Sequence, residues 1–486
     1  MSARAVGAVT AWRLGWSRVV PRTSRRRETR PVDERLSPTE AIMWRAGQDP
    51  RLRMTVGLVM VLDRAPSYDA LIERFSAIMK GSRRLRSRPG GASVAHACPL
   101  WLEDDAFDPG HHLRTAAVHR PGSQRELLDL LGLLEPVPFD PGRAPWDCTL
   151  IEGLEGDRAA LYVRAHHVVA DGLAGLRLVG RFLDGDEIDL RDNIDLRAAI
   201  EPGPSSRLGV PNIDLTKVFR PLQVAVAAAR DPETVHGIVR GVQGVVDLAT
   251  SLSRQVMITG GSLSPLVIEH SVTSRFEVIS VPRVRAAATA LRGSRNDLLV
   301  AGAASALGLY HERLGAPCDE LRLATPTTLR RGHDVGNWFA PARVQVPTAA
   351  ETQARHFAVV ADRLTQARVE PALRFAGLLA SAVSQLPAPV LIPALHAQVG
   401  TVDFAATVIP GLRESSRICG ARIETSFPFG PRLGCPVNLT AFAKGDRLDV
   451  GIALDPAAIT EPTVLLECLR EAFDGLVAHA GATSSQ

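Results

Sequence analysis

The sequence predicts an α/β protein of two layered domains, and three observations carry that prediction. Strand-like and helix-like stretches are mixed in both halves of the chain. A Pro-, Gly- and Ser-rich run, "EPGPSSRLGVPNI" at 201–213, stands between them. The 486 residues also exceed the length that one hydrophobic core usually serves. The expected organisation is a basic, disordered N-terminal extension (1–35), an N-terminal domain (36–200), a linker (201–213) and a C-terminal domain (214–486).

Ordered structure is expected to begin at "LSPTEAIMWRAG". There Ser37 can cap a helix, Pro38 suits its first position and Glu40 closes a capping box. "LRMTVGLVMVLD" (52–63) is β-branched and apolar and reads as a strand. "YDALIERFSAIMKGSRRLR" carries apolar residues at helical spacing. "RAALYVRAHH" alternates, and "DGLAGLRLVGRFLDG" then switches to the helical period. Beyond the linker, 214–256 reads as mostly helical. "SRFEVISVPRVRAAATALRGSRNDLLVAGAASALGLYHERLG" reads strand, helix, loop, helix, and "ELRLATPTTLR", "PARVQVP" and "DRLDVGIALD" read as further strands. The uncharged stretch Phe375–Leu395 is long enough to span a bilayer, but Pro387, Pro389 and Pro393 would interrupt it. A buried helix followed by a loop is the expectation there, with an interfacial, lipid-facing patch as the alternative.

Composition excludes several function classes. Aromatic residues make up 5% of the chain, too few for a nucleic-acid surface of stacked rings. The net charge of +4 belongs to the tail. Residues 1–35 hold nine arginines against Glu28, Asp33 and Glu34, a surplus of six, so the other 451 residues sum to −2. No nucleic-acid partner is expected. Six scattered cysteines without a C-x-x-C argue against a metal site and fit a reducing, cytoplasmic setting. The apolar part of the tail is broken by Arg13 and Arg18, so it lacks the uninterrupted core of a secretory signal. Arg25, Arg26 and Arg27 could instead touch an anionic surface.

The chemistry concentrates in "RAHHVVADGLAGLRLV" (164–179). Strand side chains alternate faces, so Leu161, Val163, Ala165 and His167 share one face while Tyr162, Arg164 and His166 share the other. The apolar row should point inward and carry His167 with it. A buried neutral imidazole is suited to taking a proton from a hydroxyl or amine near pH 7. Asp171 and Gly172 close the turn, Gly by allowing a tight backbone and Asp by capping the next helix or pairing with an arginine. The plain structural reading is two core histidines beside an ordinary Asp-Gly turn. A metal site is disfavoured, because adjacent strand histidines point apart. His111-His112 lacks a following Asp-Gly and is assigned no catalysis.

"HHVVADG" resembles the active-site motif of the CoA-dependent acyltransferase superfamily, which includes chloramphenicol acetyltransferases and peptide-synthetase condensation domains. The flanking segments narrow the resemblance. "LSPTEAIMW", "PLWLEDDAFDPGHHLR", "PFDPGRAPWDCTLIEGLEGDRAALYVRAHHVVADG", "RNDLLVAGAASALGLY", "LATPTTLRRGHDVGNWFAPARVQVP" and "ATVIPG" are similar, in order, to the bacterial wax ester synthase/diacylglycerol acyltransferase family. They cover roughly residues 36–480.

The resemblance implies two chloramphenicol-acetyltransferase-like domains with mixed sheets and a substrate tunnel between them. Acyl-CoA, as substrate and with no further cofactor, would enter one side and a long-chain alcohol or diacylglycerol the other. The motif's second histidine falls on His167, implied to be the general base, with His166 supporting it and Asp171 and Gly172 holding the loop. Asn296 and Asp297 fall on the family's Asn-Asp pair at a helix start, where an N-cap box is the alternative. Arg330, Gly336 and Asn337 match positions implied to be structural. The family's Pro-Leu-Trp appears as Ala144-Pro145-Trp146, and its Asn-Val-Pro-Gly-Pro as Val408-Ile409-Pro410-Gly411-Leu412. Both departures lie where acceptor or acyl-chain selection could be set. Trp146, Asn296, Asp297, Pro410 and Gly411 are the expected substrate-binding residues, with core packing as the other reading of Trp146.

Three functions follow as expectations. The first is an O-acyltransferase making triacylglycerol or wax ester, peripherally attached to the inner face of the plasma membrane or to lipid inclusions. The second is a condensation-type transferase acting on a specialised hydroxyl or amine. The third is a non-catalytic lipid-binding protein on the same fold.

Overall fold

The structure, a computed structural model, describes residues 31–90, 99–169, 172–185, 261–267, 269–328, 339–368, 370 and 376–484. The linker 201–213, the helical reading of 214–256, Asp171, Arg330, Gly336 and Asn337 lie outside the described residues.

The first half contains β1 (Pro31–Arg35), α1 (Pro38–Ala46), β2 (Thr55–Leu62), α2 (Tyr68–Lys80), β3 (Ser87–Gly90) and β4 (Leu100–Glu103). It continues with β5 (Leu113–Ala117), α3 (Gln124–Leu134), β6 (Trp146–Glu152), β7 (Ala159–His166) and α4 (Gly172–Phe182). The second half runs β8 (Arg275–Pro282), α5 (Val284–Ala290), α6 (Arg295–Arg313), β9 (Glu320–Thr328), β10 (Phe339–Pro347) and α7 (Gln353–Arg368). Then come α8 (Ala376–Val383), α9 (Ala388–Val399), β11 (Phe404–Pro410), β12 (Arg417–Ile418), β13 (Ala421–Phe429), β14 (Val437–Lys444), β15 (Arg447–Leu454) and α10 (Pro462–Ser484).

The capping box that opens α1 forms. Ser37 N–H donates to Glu40 Oε2 at 2.8 Å and Glu40 N–H to Ser37 Oγ at 3.2 Å. Order nevertheless extends five residues into the stretch expected as a tail. Pro31–Arg35 pairs antiparallel with β4, because an extended backbone can join a sheet edge whatever its side chains.

Two six-stranded mixed sheets form the body, with strand orders β12-β13-β2-β7-β6-β5 and β10-β9-β11-β14-β15-β8. β5 lies parallel to β6, and β11 parallel to β9 and β14. The remaining pairs are antiparallel. The two halves are tied by an exchange of strands. β13 leaves the second half to pair with β2, from Ile423 opposite Leu62 to Phe429 opposite Gly57, and the chain then returns as β14. One core packs α2 and α4 on the first sheet, and another packs α6 and α10 on the second.

The uncharged 375–395 region differs from the expected buried helix and loop. It forms two short helices, α8 and α9, and Pro387, Ala388, Pro389 and Val390 are exposed. A proline in the first turn needs no N–H partner, so Pro389 starts a helix instead of ending one. α1 and the turn after it hold this pair, because Arg45 donates to the carbonyls of Ser384 (2.8 Å) and Leu386, and Asp49 meets His396 at 3.1 Å. Among the described residues no helix is long and apolar enough to cross a membrane.

Candidate active site

A cavity of about 390 Å³ lies where the two large sheets meet, and His167 is on its wall. β7 brings it there. Leu161, Val163, Ala165 and His167, the side chains of one strand face, all line this space. The end of the strand is fixed by backbone pairing, with His167 N–H donating to Met54 O at 2.7 Å and His166 N–H to Pro145 O at 2.8 Å.

The opposite face of β7 is buried along its whole length, whereas the apolar row is buried at Leu161 and partly open at Val163, Ala165 and His167. Tyr162 is 1% exposed, Arg164 2% and His166 5%. Arg164 survives burial through its fork on Asp147, with Nε donating to Oδ1 at 2.9 Å, while Nη1 reaches the carbonyls of Leu134, Glu135 (3.2 Å) and Val137 (3.1 Å). That pair locks β6, β7 and the end of α3 together. His166 packs edge-on against Trp44 at 5.1 Å between centroids, and its Nδ1 accepts the Val168 N–H at 3.2 Å. Its Nε2 has no hydrogen-bond partner among the described residues. Burial, with a smaller push from His167, lowers its pKa to about 3. His166 is therefore neutral across the physiological range and braces the turn that carries His167.

Of the other expected residues, Trp146 lines the cavity and Gly172 opens α4. The indole N–H of Trp146 donates to Leu85 O at 2.8 Å, and its ring stacks between His112 (4.3 Å) and Phe75 (6.0 Å). His112, one of the two histidines assigned no catalysis, bonds through Nδ1 to Trp146 O at 2.8 Å. Burial lowers its pKa, which keeps it neutral.

Asn296 and Asp297 are not among the cavity-lining residues. Asp297 completes a capping box with Ser294 and meets Arg368 at 3.2 Å. Asn296 Oδ1 accepts the Val408 N–H at 3.3 Å, so it holds a strand whose Val408 and Ile409 do line the cavity. Pro410 ends that strand. Gly411 N–H donates to Ala443 O at 2.8 Å, where a Cβ would fall 2.8 Å from that same oxygen. Only glycine permits this approach to β14.

Sequence reasoning missed the polar part of the wall. Asn438 and Thr440 on β14, Thr407 on β11, Arg343 on β10 and Arg432 line the cavity too. Thr440 Oγ donates to Asn438 Oδ1 at 2.8 Å and accepts the Gly430 N–H at 3.1 Å. Arg343 Nη1 donates to Gln398 Oε1 at 2.8 Å. The available signal was the polar Asn438 and Thr440 alternating in a strand that is otherwise apolar up to its last residue, Lys444. Among the described residues no group of His, Cys, Asp and Glu could hold a metal ion.

This arrangement sets an imidazole in a largely apolar, two-sided space, a geometry suited to proton transfer away from water. Comparison with known proteins is consistent with it. Residues 36–299 match the wax ester synthase/diacylglycerol acyltransferase catalytic domain, and residues 335–477 match the C-terminal domain of the same family. A putative diacylglycerol O-acyltransferase of Mycobacterium tuberculosis is 29% identical over 466 residues, covering 93% of this chain and 94% of that one. The fold is that of the wax ester synthase/diacylglycerol acyltransferase from Marinobacter aquaeolei VT8 (TM-score 0.59, 20% identity, 92% of this chain and 100% of that chain). It is also that of a mutant starter condensation domain of rhizomide synthetase in complex with C8-CoA and Leu-SNAC (TM-score 0.54, 13% identity, 92% and 94%). The chain belongs to the wax ester synthase/diacylglycerol acyltransferase family and is an acyltransferase.

Proposed function

We propose that the chain moves a fatty acyl group from acyl-CoA to the hydroxyl of diacylglycerol or a long-chain alcohol, with His167 as general base and no further cofactor. The observation that carries this reading is the position of His167, at the end of an apolar strand row in a cavity walled by both sheets. Its imidazole takes the acceptor's hydroxyl proton as the oxygen attacks the thioester carbonyl. The tetrahedral intermediate collapses with cleavage of the C–S bond, and the thiolate recovers the proton to leave as CoA thiol. The names of the relatives and the C8-CoA held by the condensation domain support the substrate pair. A specialised acceptor is the second reading, motivated by Ala144-Pro145 before Trp146 and by Val408 in place of the family's Asn. The apolar Val408 and Ile409 at the wall favour the neutral lipid alcohol.

Peripheral attachment to a membrane or lipid inclusion belongs to the same proposal. α8 and α9 carry exposed apolar side chains, and Val399 of that pair reaches the cavity wall. Incubating His167→Ala with acyl-CoA and either diolein or hexadecanol tests the base. Thiol release and ester formation should fall by roughly two to four orders of magnitude. Undiminished turnover removes His167 from the role, and turnover with an amine panel alone removes the lipid acceptor.

A further inference from the structure

We infer that the acyl chain of the thioester occupies a chamber between the first sheet and its two covering helices, and that Met60 and Leu161 set the chain length it accepts. This inference rests on the acyl-CoA reading above and goes beyond it, because it assigns one lobe of the cavity to one substrate and names its floor.

Strand register divides the lobe into levels. Nearest His167, Ala165 of β7 stands opposite Val56 of β2 and Trp146 of β6. The next inward-facing level is Val163 with Leu58 and Cys148. The third is Leu161 opposite Met60. All eight residues line the cavity, whereas Leu150, beside Leu161, and the following pair Ala159 and Leu62 do not. The space therefore ends at the third level. Leu161 lies six positions before His167, which at about 3.3 Å per residue makes a groove about 20 Å deep. That depth suits an extended long-chain acyl group.

The opposing wall is helical and equally apolar. α2 contributes Phe75 and Met79, four residues apart on one face, and α4 contributes Gly175, Val179 and Phe182. Among the described residues, the polar side-chain donors of the lobe beyond His167 are the Cys148 thiol and the Trp146 indole N–H, and the indole N–H is already given to Leu85 O. A methylene chain leaves no donor or acceptor unmet there, whereas a hydroxyl or ester would. The other polar groups lie across the cavity, Thr325, Arg343, Thr407, Asn438 and Thr440 on strands of the second sheet and Arg432 in the loop before β14. The acceptor's oxygens find partners on that side.

The test compares wild type with Val163→Phe, which fills the middle level, and Met60→Ala, which lowers the floor. Each is given octanoyl-, lauroyl-, palmitoyl- and arachidoyl-CoA. Transfer to a fixed acceptor and calorimetric affinity are both measured. Val163→Phe should lower affinity and kcat/KM for palmitoyl-CoA on the order of tenfold or more while sparing octanoyl-CoA, since several methylenes lose their burial. Met60→Ala should shift the preference toward the longest chain. Equal changes across all chain lengths in both variants overturn the chamber assignment. If affinity follows these shifts but no ester forms in any protein, the transferase reading fails and the chamber stands.

Discussion

Gly47 lies so close to His166 that a Cβ on it would fall 2.3 Å from the imidazole Nε2. The glycine closes α1 in an ordinary right-handed conformation (φ −63°), so its backbone does not require glycine. What requires it is the space taken by His166. Gly47→Ala should push the imidazole off its seat and displace the turn that carries His167. We expect a stability loss of about 1–3 kcal/mol and a fall in kcat that exceeds any change in KM. The double variant Gly47→Ala/His166→Ala should recover part of the stability, measured by urea unfolding. An unchanged Gly47→Ala enzyme would mean that the two elements part easily.

The depressed pKa of His166 makes a signed prediction about acid. In the unfolded chain this imidazole titrates near 6.5, whereas burial holds it at about 3 in the fold. Between those values the unfolded state binds a proton that the folded state refuses, so stability falls as pH drops from 6.5 towards 3. The slope from this one group approaches about 1.4 kcal/mol per pH unit. Burial lowers the pKa of His112 and His356 as well, which adds to the same trend. Denaturant unfolding at pH 7.5 and 5 should show the loss, and His166→Asn should show a shallower dependence than wild type.

The Arg164–Asp147 pair is 2% and 4% exposed at its side chains, so removing Arg164 leaves the buried carboxylate with the more exposed Arg114, 3.7 Å away, in place of a forked partner. Arg164→Met should cost about 3–5 kcal/mol. Lysine should not rescue it, because one ammonium cannot fork onto the carboxylate and also reach the carbonyls of Glu135 and Val137. The double apolar variant Arg164→Met/Asp147→Leu should be more stable than Arg164→Met alone. Urea unfolding of wild type, Arg164→Met, Asp147→Leu and the double variant gives the coupling directly.

The legible features were local. Ser37 announces its helix within three residues, and alternation along 159–167 tells which histidine stands with the apolar row. Alternation did not tell what lies beyond that row. With both faces of the sheet covered, inside and outside lose their contrast, and the polar face of β7 is buried through the Arg164–Asp147 pair. The insertion of β13 beside β2 was not legible either, since it joins residues about 360 apart and follows from no periodicity. The cavity depends on that insertion, because Phe429 and the loop after it form part of its wall. For the same reason the polar Asn438 and Thr440 could not be assigned to the site until the two sheets were brought together.

Asn296 and Asp297 offer the sharpest separation between a binding role and a holding role. Asp297 caps α6 and pairs with Arg368, and Asn296 takes the Val408 N–H, while neither side chain lines the cavity. Asp297→Ala loses a cap contact and an ion pair and should cost about 1–2 kcal/mol. Asn296→Ala leaves a buried N–H without its acceptor, a loss of about 1–3 kcal/mol. In both variants KM for acyl-CoA and for the acceptor should stay near wild type, measured well below the lowered unfolding temperature. A large rise in either KM without loss of stability would instead make them substrate contacts. The different outcomes follow from distance to the ligand. A cap acts on the population of folded enzyme, whereas a contact acts on the complex.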